Sequence, residues 1–366
     1  MTKYRFDEIA INSTQKKKPT EEDKVYYIGL EHIDPGCFDV VRWGSDVAPT
    51  GDKLLMQKGD VLFGKRRAYQ RKVAIAPFDG IFSAHGMVLR PNLKVIDANY
   101  FPFFISSDKF MDTAVRISVG GLSPTINWKD LARQEFELPS LDEQKVLAYK
   151  LWAAYRLKEA YKKLLVATDE IVKSQFIEMF GNPVANNKGW STMALKQVAP
   201  EEPSRERQTG TVWILNLDMI ESHTGKIIDK VYDEDTNLLS VAPFDEGNVL
   251  YSKLRPYLNK VVIPKGKGYA TTELVPLRPN QEYLNLTFFS HLLRGDDFVT
   301  YANTISSGTK MPRMPLNDLR NFQCILPPME EQLKFEKVAE QADKSKFELR
   351  KSIDAIDKVI KSLINN

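Results

Sequence analysis

Lys65, Arg66, Arg67, Tyr69 and Arg71 fall within one short stretch, and no acidic residue lies between Asp60 and Asp79 to neutralise them. A guanidinium can fork onto the O6 and N7 edge of guanine or onto a phosphate, whereas a lysine ammonium contributes mainly a point charge to phosphate. A second stretch of the same character holds Ser252, Lys253, Arg255, Tyr257, Asn259 and Lys260, and no acidic residue separates Glu246 from Glu273. Side chains of these types in this density suit a polyanion; as plain solvated turns they would need no ligand. Ser83 and His85 follow the first stretch, and Thr271 and Glu273 follow the second. Hydroxyls beside a His or a Glu can read base edges, a carboxylate accepting from cytosine N4, or can serve hydrogen bonding inside the fold. The loop 120–125, with Ser123 and Thr125, and the loop 308–313, with Thr309, Lys310 and Arg313, contain glycines that permit close backbone approach to phosphate. Arg90 and Arg278 are expected to be structural, and Trp43, Trp190 and Trp213 to lie in cores, because a duplex offers few exposed base faces.

Other chemistry finds little support. The two cysteines, Cys37 and Cys324, are far apart, and the four histidines, His32, His85, His223 and His291, are scattered without metal-ligand spacing. No Asn-Pro-Pro-Tyr or Asp-Pro-Pro-Tyr methyltransferase motif, no phosphate-binding Gly-x-x-x-x-Gly-Lys-Ser/Thr loop and no paired-carboxylate-plus-lysine nuclease core is present. A net charge of +3 argues against a general polyanion binder, so the local clusters matter more than the sum. No stretch approaches the roughly 18 consecutive apolar residues of a membrane span, and the start lacks a leader pattern; the expectation is a cytoplasmic chain with no membrane contact.

The elements that must position these residues come in duplicate. GDVLFGKRRAY at Gly59 and GNVLYSKLRPY at Gly247 define an offset of 188 in the numbering. Leu-Arg-Pro at Leu89 and Leu277, and LPSLDEQ at Leu138 and LPPMEEQ at Leu326, give the same value. VYYIGLEHID at Val25 and VWILNLDMIE at Val212 differ from it by a single position. One such match would be weak; four at nearly one offset make the chain a tandem of two homologous halves, each a whole domain plus its connector rather than a solenoid repeat.

Within each half the first part reads as strand-rich, with short apolar stretches at 25–30, 60–64, 72–76 and 87–89, and again at 212–217, 248–251 and 260–263, broken by turn residues. Helices are expected around 100–106 and 286–293. At Ser140 the pattern changes: Ser140 and Glu143 form a capping-box signature, and no Pro or Gly occurs until Gly181. That predicts a helix of about 40 residues, roughly 60 Å long, and a second runs from Met329 toward the C-terminus. In the second, Phe335, Ala339, Ala342, Lys346, Leu349, Ile353, Ile356, Ile360 and Leu363 alternate spacings of four and three; in the first, Leu147, Leu151, Ala154, Lys158, Tyr161, Leu165, Thr168, Val172 and Gln175 keep the same phase. The expected class is α+β: two homologous strand-rich domains, 1–139 and 182–327, with connector helices 140–181 and 328–366 pairing as an antiparallel coiled coil. Pseudo-two-fold symmetry follows, with the lobes at opposite ends of a stiff rod.

GDVLFGKRRAYQRKVAIAPFDGIFSAH, YSKLRPYLNKVVIPKGKGYATTELVPLRP and LP-x-x-x-EQ leading into a long helix together resemble the specificity subunits of type I restriction-modification systems, over essentially the full length. The resemblance implies a non-enzymatic scaffold whose target-recognition domains each bind one half of a bipartite double-stranded DNA site, with the helices setting the unread spacer. It implies two modification subunits, bringing S-adenosylmethionine and adenine methylation, and two restriction subunits, bringing ATP-driven translocation and Mg²⁺-dependent cleavage, with no cofactor on this chain. Rival readings are the specificity subunit of a methylation-only complex, an enzyme that modifies DNA by itself, and a coiled-coil adaptor that binds only proteins.

Overall fold

The computed structural model describes residues 1–206, 208–234, 240–308 and 310–365. Thr309 of the second glycine loop and the last residue of the expected 328–366 helix therefore lie outside the described residues. The chain divides into two compact units, Met1–Lys162 with Arg350–Asn366, and Lys163–Leu349. Neither long helix stands as a domain of its own, so the expected boundaries at 139 and 327 mark the ends of the strand-rich parts and not the limits of the compact units. A long helix adds little core by itself; its apolar seam is buried against whichever lobe and partner helix segment lie beside it.

In the first unit, Ala10–Ser13, Met87–Pro91, Val61–Phe63 and Val73–Ile75 form an antiparallel sheet in that order. A second sheet holds Lys16–Lys17, Lys53–Met56, Gly80–Phe82 and Tyr27–Ile28, the last pair parallel. The 25–30 stretch is thus mostly not strand: a 3-10 turn, Glu21–Tyr26, runs into it and only Tyr27–Ile28 pairs. Trp43 is 49% exposed and is not a core residue; it packs edge-on against Phe78 at the surface.

The second unit repeats the plan. Val261–Val262, Val249–Ser252 and Leu274–Leu277 form one sheet, and Val231–Glu234, Thr211–Leu215, Gly268–Thr271 and Val241–Phe244 another. Its parallel pair, Ile214↔Tyr269 and Leu215↔Ala270, is the counterpart of Tyr27↔Ile81 and Ile28↔Phe82. Helices Phe101–Ser106 and Asp108–Arg116 correspond to Leu286–Arg294 and Asp296–Ile305.

The LP-x-x-x-EQ repeat has a concrete purpose. Gln144 and Gln332 are fully buried. Gln144 accepts from Asp97 N at 2.8 Å and donates to the carbonyls of Val95 and Pro139. Gln332 accepts from Asn285 N at 2.8 Å and donates to the carbonyls of Tyr283 and Pro327. Every partner of the one is the repeat equivalent of a partner of the other. One buried amide thereby satisfies three backbone groups that would otherwise be stranded, and it ties the start of each long helix to the loop beneath it.

The long helices are Leu141–Phe180 and Met329–Asn365. Ser140 Oγ donates to Glu143 at 2.7 Å and the Ser140 N–H donates to the same carboxylate at 2.9 Å, closing the first helix start as the capping box predicts. Gly181, at φ 73°, ends that helix. Every seam position named above is buried or half-buried. Leu151, Val172, Phe335, Ala339 and Ala342 are closed off, whereas Leu147, Ala154, Tyr161, Leu165, Leu349, Ile353, Ile356 and Ile360 are half-buried. The seam also carries two lysines: Lys158 pairs with Asp357 in the first unit at 2.5 Å, and Lys346 pairs with Asp169 in the second at 2.8 Å. Lys346 is the repeat equivalent of Lys158, and Asp357 that of Asp169, as an antiparallel pairing of duplicated helices requires.

Candidate nucleic-acid interface

The buried strand Val61–Phe63 delivers the first basic stretch to the surface through Gly64, whose N–H bonds the carbonyl of Lys72 at 2.9 Å. Between them the chain makes a tight loop. Arg67 and Arg71 both adopt left-handed backbone, φ 56° and 52°, bracketing the 3-10 turn Ala68–Gln70. Such backbone is unfavourable for a side-chain-bearing residue, so it must be held: the Arg67 N–H bonds the Pro124 carbonyl at 2.7 Å and Arg66 bridges to Thr125. The second unit builds the same turn. Arg255 and Asn259, φ 49° and 47°, bracket Pro256–Leu258; the Arg255 N–H bonds the Pro312 carbonyl at 2.7 Å, and Leu254 bridges to Arg313. Each glycine loop is therefore the support of its basic turn.

Several residues expected to face nucleic acid are committed to the lobe instead. Arg71 donates to the Ser106 carbonyl and pairs with Asp108 at 2.7 Å. Its counterpart Asn259 is 5% exposed and donates to the Arg294 carbonyl at 2.8 Å, the equivalent acceptor. Lys260 Nζ donates to the Leu217 carbonyl at 2.6 Å, as Lys72 does to that of Leu30. Ser252 is buried with its hydroxyl on the Leu254 carbonyl, and buried Ser83 accepts from the His85 N–H. The Thr125 hydroxyl donates to the Ser123 carbonyl, and Thr271 is half-buried in the strand Gly268–Thr271. A side chain already satisfying a backbone group cannot turn outward without leaving that group unpaired. Arg90 forks onto Asp60 at 2.7 and 2.9 Å, and Arg278 onto Asp245, so both brace their sheets.

What remains forms a compact group on the first lobe. Arg66 reaches His85 Nε2 at 3.4 Å and the Ser123 hydroxyl at 3.0 Å, and exposed Arg67 donates to the same hydroxyl at 3.1 Å. Ser123 thus gathers two guanidinium groups. Lys65 is half-buried beside them, its ammonium pushed down by burial and then by Lys16. His85 is held below the ordinary histidine range, first by burial and then by the cations of Arg66, Lys65 and Lys53. Tyr69, 54% exposed, and Leu122, 97% exposed on the glycine loop, flank the group. On the second lobe Lys253 is half-buried, while Tyr257 and Lys310 are exposed. Arg313 is paired with Glu273 at 2.9 Å. Arg255 Nε is buried with no hydrogen-bond partner among the described residues. The lysine and arginine stretches were legible in the sequence; Ser123 as their organiser and the Arg313–Glu273 pair join residues far apart in the chain and carried no local signal. Among the described residues no group of three His, Cys, Asp or Glu stands close enough to hold a metal ion, and no helix is long and apolar enough to cross a membrane.

Residues 4–165 match the family described as "Type I restriction modification DNA specificity domain". The chain is 24% identical over 344 residues to the type I restriction enzyme EcoDI specificity subunit of Escherichia coli, covering 82% of this chain and 72% of that protein. The type I restriction-modification system S subunit from M. genitalium matches with a TM-score of 0.55 and 14% identity, over 99% of this chain and 94% of that one. A chain solved to explain complex assembly and conformational transition of the type I R-M system matches with a TM-score of 0.58 and 17% identity, over 99% and 96% of the two chains. At these identities the two structures speak for the fold.

Proposed function

We propose, from a chain whose residues 4–165 match the type I restriction modification DNA specificity domain, that this protein is the DNA-reading specificity subunit of a type I complex. Each lobe reads one half of a split site, and the chain performs no catalysis. One observation carries the reading: both lobes build the same left-handed turn, braced by the same backbone bonds, yet surround it with different side chains, Arg66, His85 and Ser123 in the first against Leu254, Glu273 and Met311 in the second. A constant frame with variable surroundings is what two readers of different half-sites need. The partners are double-stranded DNA, two modification subunits carrying S-adenosylmethionine and two restriction subunits carrying ATP and Mg²⁺, assembled in the cytoplasm. Mapping methyladenine in host DNA tests this: the expected result is a motif in two parts, each part methylated. A continuous motif, or turnover of labelled S-adenosylmethionine by the purified chain alone, overturns it.

A further inference from the structure

Both basic turns end in left-handed backbone, but the residue there differs, Arg71 in the first unit and Asn259 in the second. Asparagine tolerates that conformation better than arginine, and buried Asn259 rests its amide on the Arg294 carbonyl at 2.8 Å. The first turn relies on an outside hold. Arg71 donates to the Ser106 carbonyl at 3.1 Å and to Asp108 Oδ1 at 2.7 Å.

Asp108 opens the helix Asp108–Arg116, where the first backbone N–H groups have no partner within the helix. Its second oxygen faces a different element. Oδ2 lies 3.3 Å from Lys361 Nζ and accepts from the Asn365 amide at 3.1 Å, while the Asp108 N–H donates to Asn365 Oδ1 at 2.9 Å. One carboxylate therefore spans the basic turn and the second long helix, whose residues from Arg350 onward belong to the first compact unit. In the second unit this bridge is open. Lys173 and Ile177 stand at the places of Lys361 and Asn365, and an isoleucine side chain forms no such clasp. Asp296, the equivalent of Asp108, has a side chain 79% exposed that meets Lys173 at 3.6 Å.

We infer that Asp108 is a positioning residue: it fixes the Arg71 end of the first basic turn to the second long helix, so that the grip of this turn on DNA depends on a clasp the second turn lacks. The inference rests on the DNA reading above, and its test tells the two apart. Asp108→Asn and Asp296→Asn remove the same charge from equivalent places. Charge alone predicts tighter binding of a polyanion by both variants; positioning predicts that Asp108→Asn weakens it. The probe is a fluorescent duplex pool of randomised sequence, titrated with the full-length chain. Asp108→Asn and the uncharged change Asn365→Ala are each expected to weaken binding about threefold or more, whereas Asp296→Asn leaves it unchanged or tighter. Hydrogen exchange is expected to quicken in peptides spanning 64–72 in the first two variants and to stay as it was in those spanning 252–260. A thermal melt checks the fold of each, and Asn365→Ala decides the matter if Asp108→Asn does not fold. Tighter binding by Asp108→Asn, or exchange at 64–72 indifferent to Asn365→Ala, overturns the inference while the DNA reading stands. An unsubstituted chain without salt-dependent affinity for the duplex overturns the DNA reading, and the inference with it.

Discussion

The two basic turns share a backbone and differ in charge. Where the first lobe has Arg66, His85, Ser123 and Thr125, the second has Leu254, Glu273, Met311 and Arg313 at the equivalent places of the repeat. The first arrangement leaves two guanidinium groups on a neutral hydroxyl; the second ties its arginine to a carboxylate. Duplication has kept the bonds that hold the turn, Arg67 to Pro124 and Arg255 to Pro312, and released the side chains that project from it. The lesson is that the backbone bonds of the turn persist in both lobes, with Lys65 and Tyr69 matched by Lys253 and Tyr257, while the charge around the turn is what has changed.

The largest expected break in the symmetry concerns acid. Fully buried Phe103 in the first unit corresponds to His291 in the second, which burial, then Arg294 and Lys346, push down to about 3. A histidine with a folded pKa below its unfolded value takes up protons on unfolding, so stability is full above about pH 6.5 and falls as pH drops toward 3, by roughly 1 kcal/mol for each pH unit. Hydrogen exchange against pH should therefore find the second unit opening first, and His291→Phe should remove the difference. Equal acid sensitivity of both units in the unsubstituted chain would break this account.

Next come the buried glutamines. Gln144→Ala and Gln332→Ala each strand three backbone groups, and a loss on the order of 1–3 kcal/mol is expected for each, similar in the two units, read from denaturant midpoints. A large effect in one unit and none in the other would mean the repeat is geometric only.

Then the turns themselves. Arg66→Ala with Arg67→Ala should weaken DNA binding about tenfold or more and lower the salt slope. Lys253→Ala with Arg255→Ala should do less, because both of those side chains are half-buried whereas Arg67 is exposed. Fluorescence anisotropy across a salt series reads both, and an unchanged slope for the first pair would remove that turn from the interface.

The smallest effect belongs to His85. Burial and the neighbouring cations hold its pKa below the ordinary histidine value, so it gains a charge beside Arg66 only on acidification; affinity should rise modestly as pH falls below the ordinary histidine range, and His85→Ala should flatten the profile. A profile that is already flat in the unsubstituted chain would show that this imidazole does not meet the ligand.

Much of the architecture was legible in the residues because its signals are local or periodic. The capping pair Ser140 and Glu143, the proline-free runs and the four-three spacing each depend on neighbours within a few turns of helix. The constant offset between the halves gave the duplication and, with it, the equivalence of the two turns. Which cations are free was not legible. Arg66 and Arg71 look alike in sequence, yet one leans on Ser123 and the other is consumed by Asp108; the difference lies in partners far along the chain. The burial of Tyr155, Phe176 and Phe180 beside the expected seam was missed for the same reason: they face lobe cores, not the partner helix alone. Trp43 was misplaced because a large apolar side chain is an average signal of interior, overruled here by its loop.

The left-handed backbone at positions 67, 71, 255 and 259 also acts as a sieve on evolutionary drift. A β-branched residue is barely tolerated at such φ values, whereas glycine and asparagine settle there readily. The halves accordingly hold Arg67 and Arg255 at one pivot and Arg71 and Asn259 at the other, whereas the position just before the first pivot exchanges Arg66 for Leu254. Relatives that diverge from this chain should hold the four pivots to unbranched residues, asparagine or glycine.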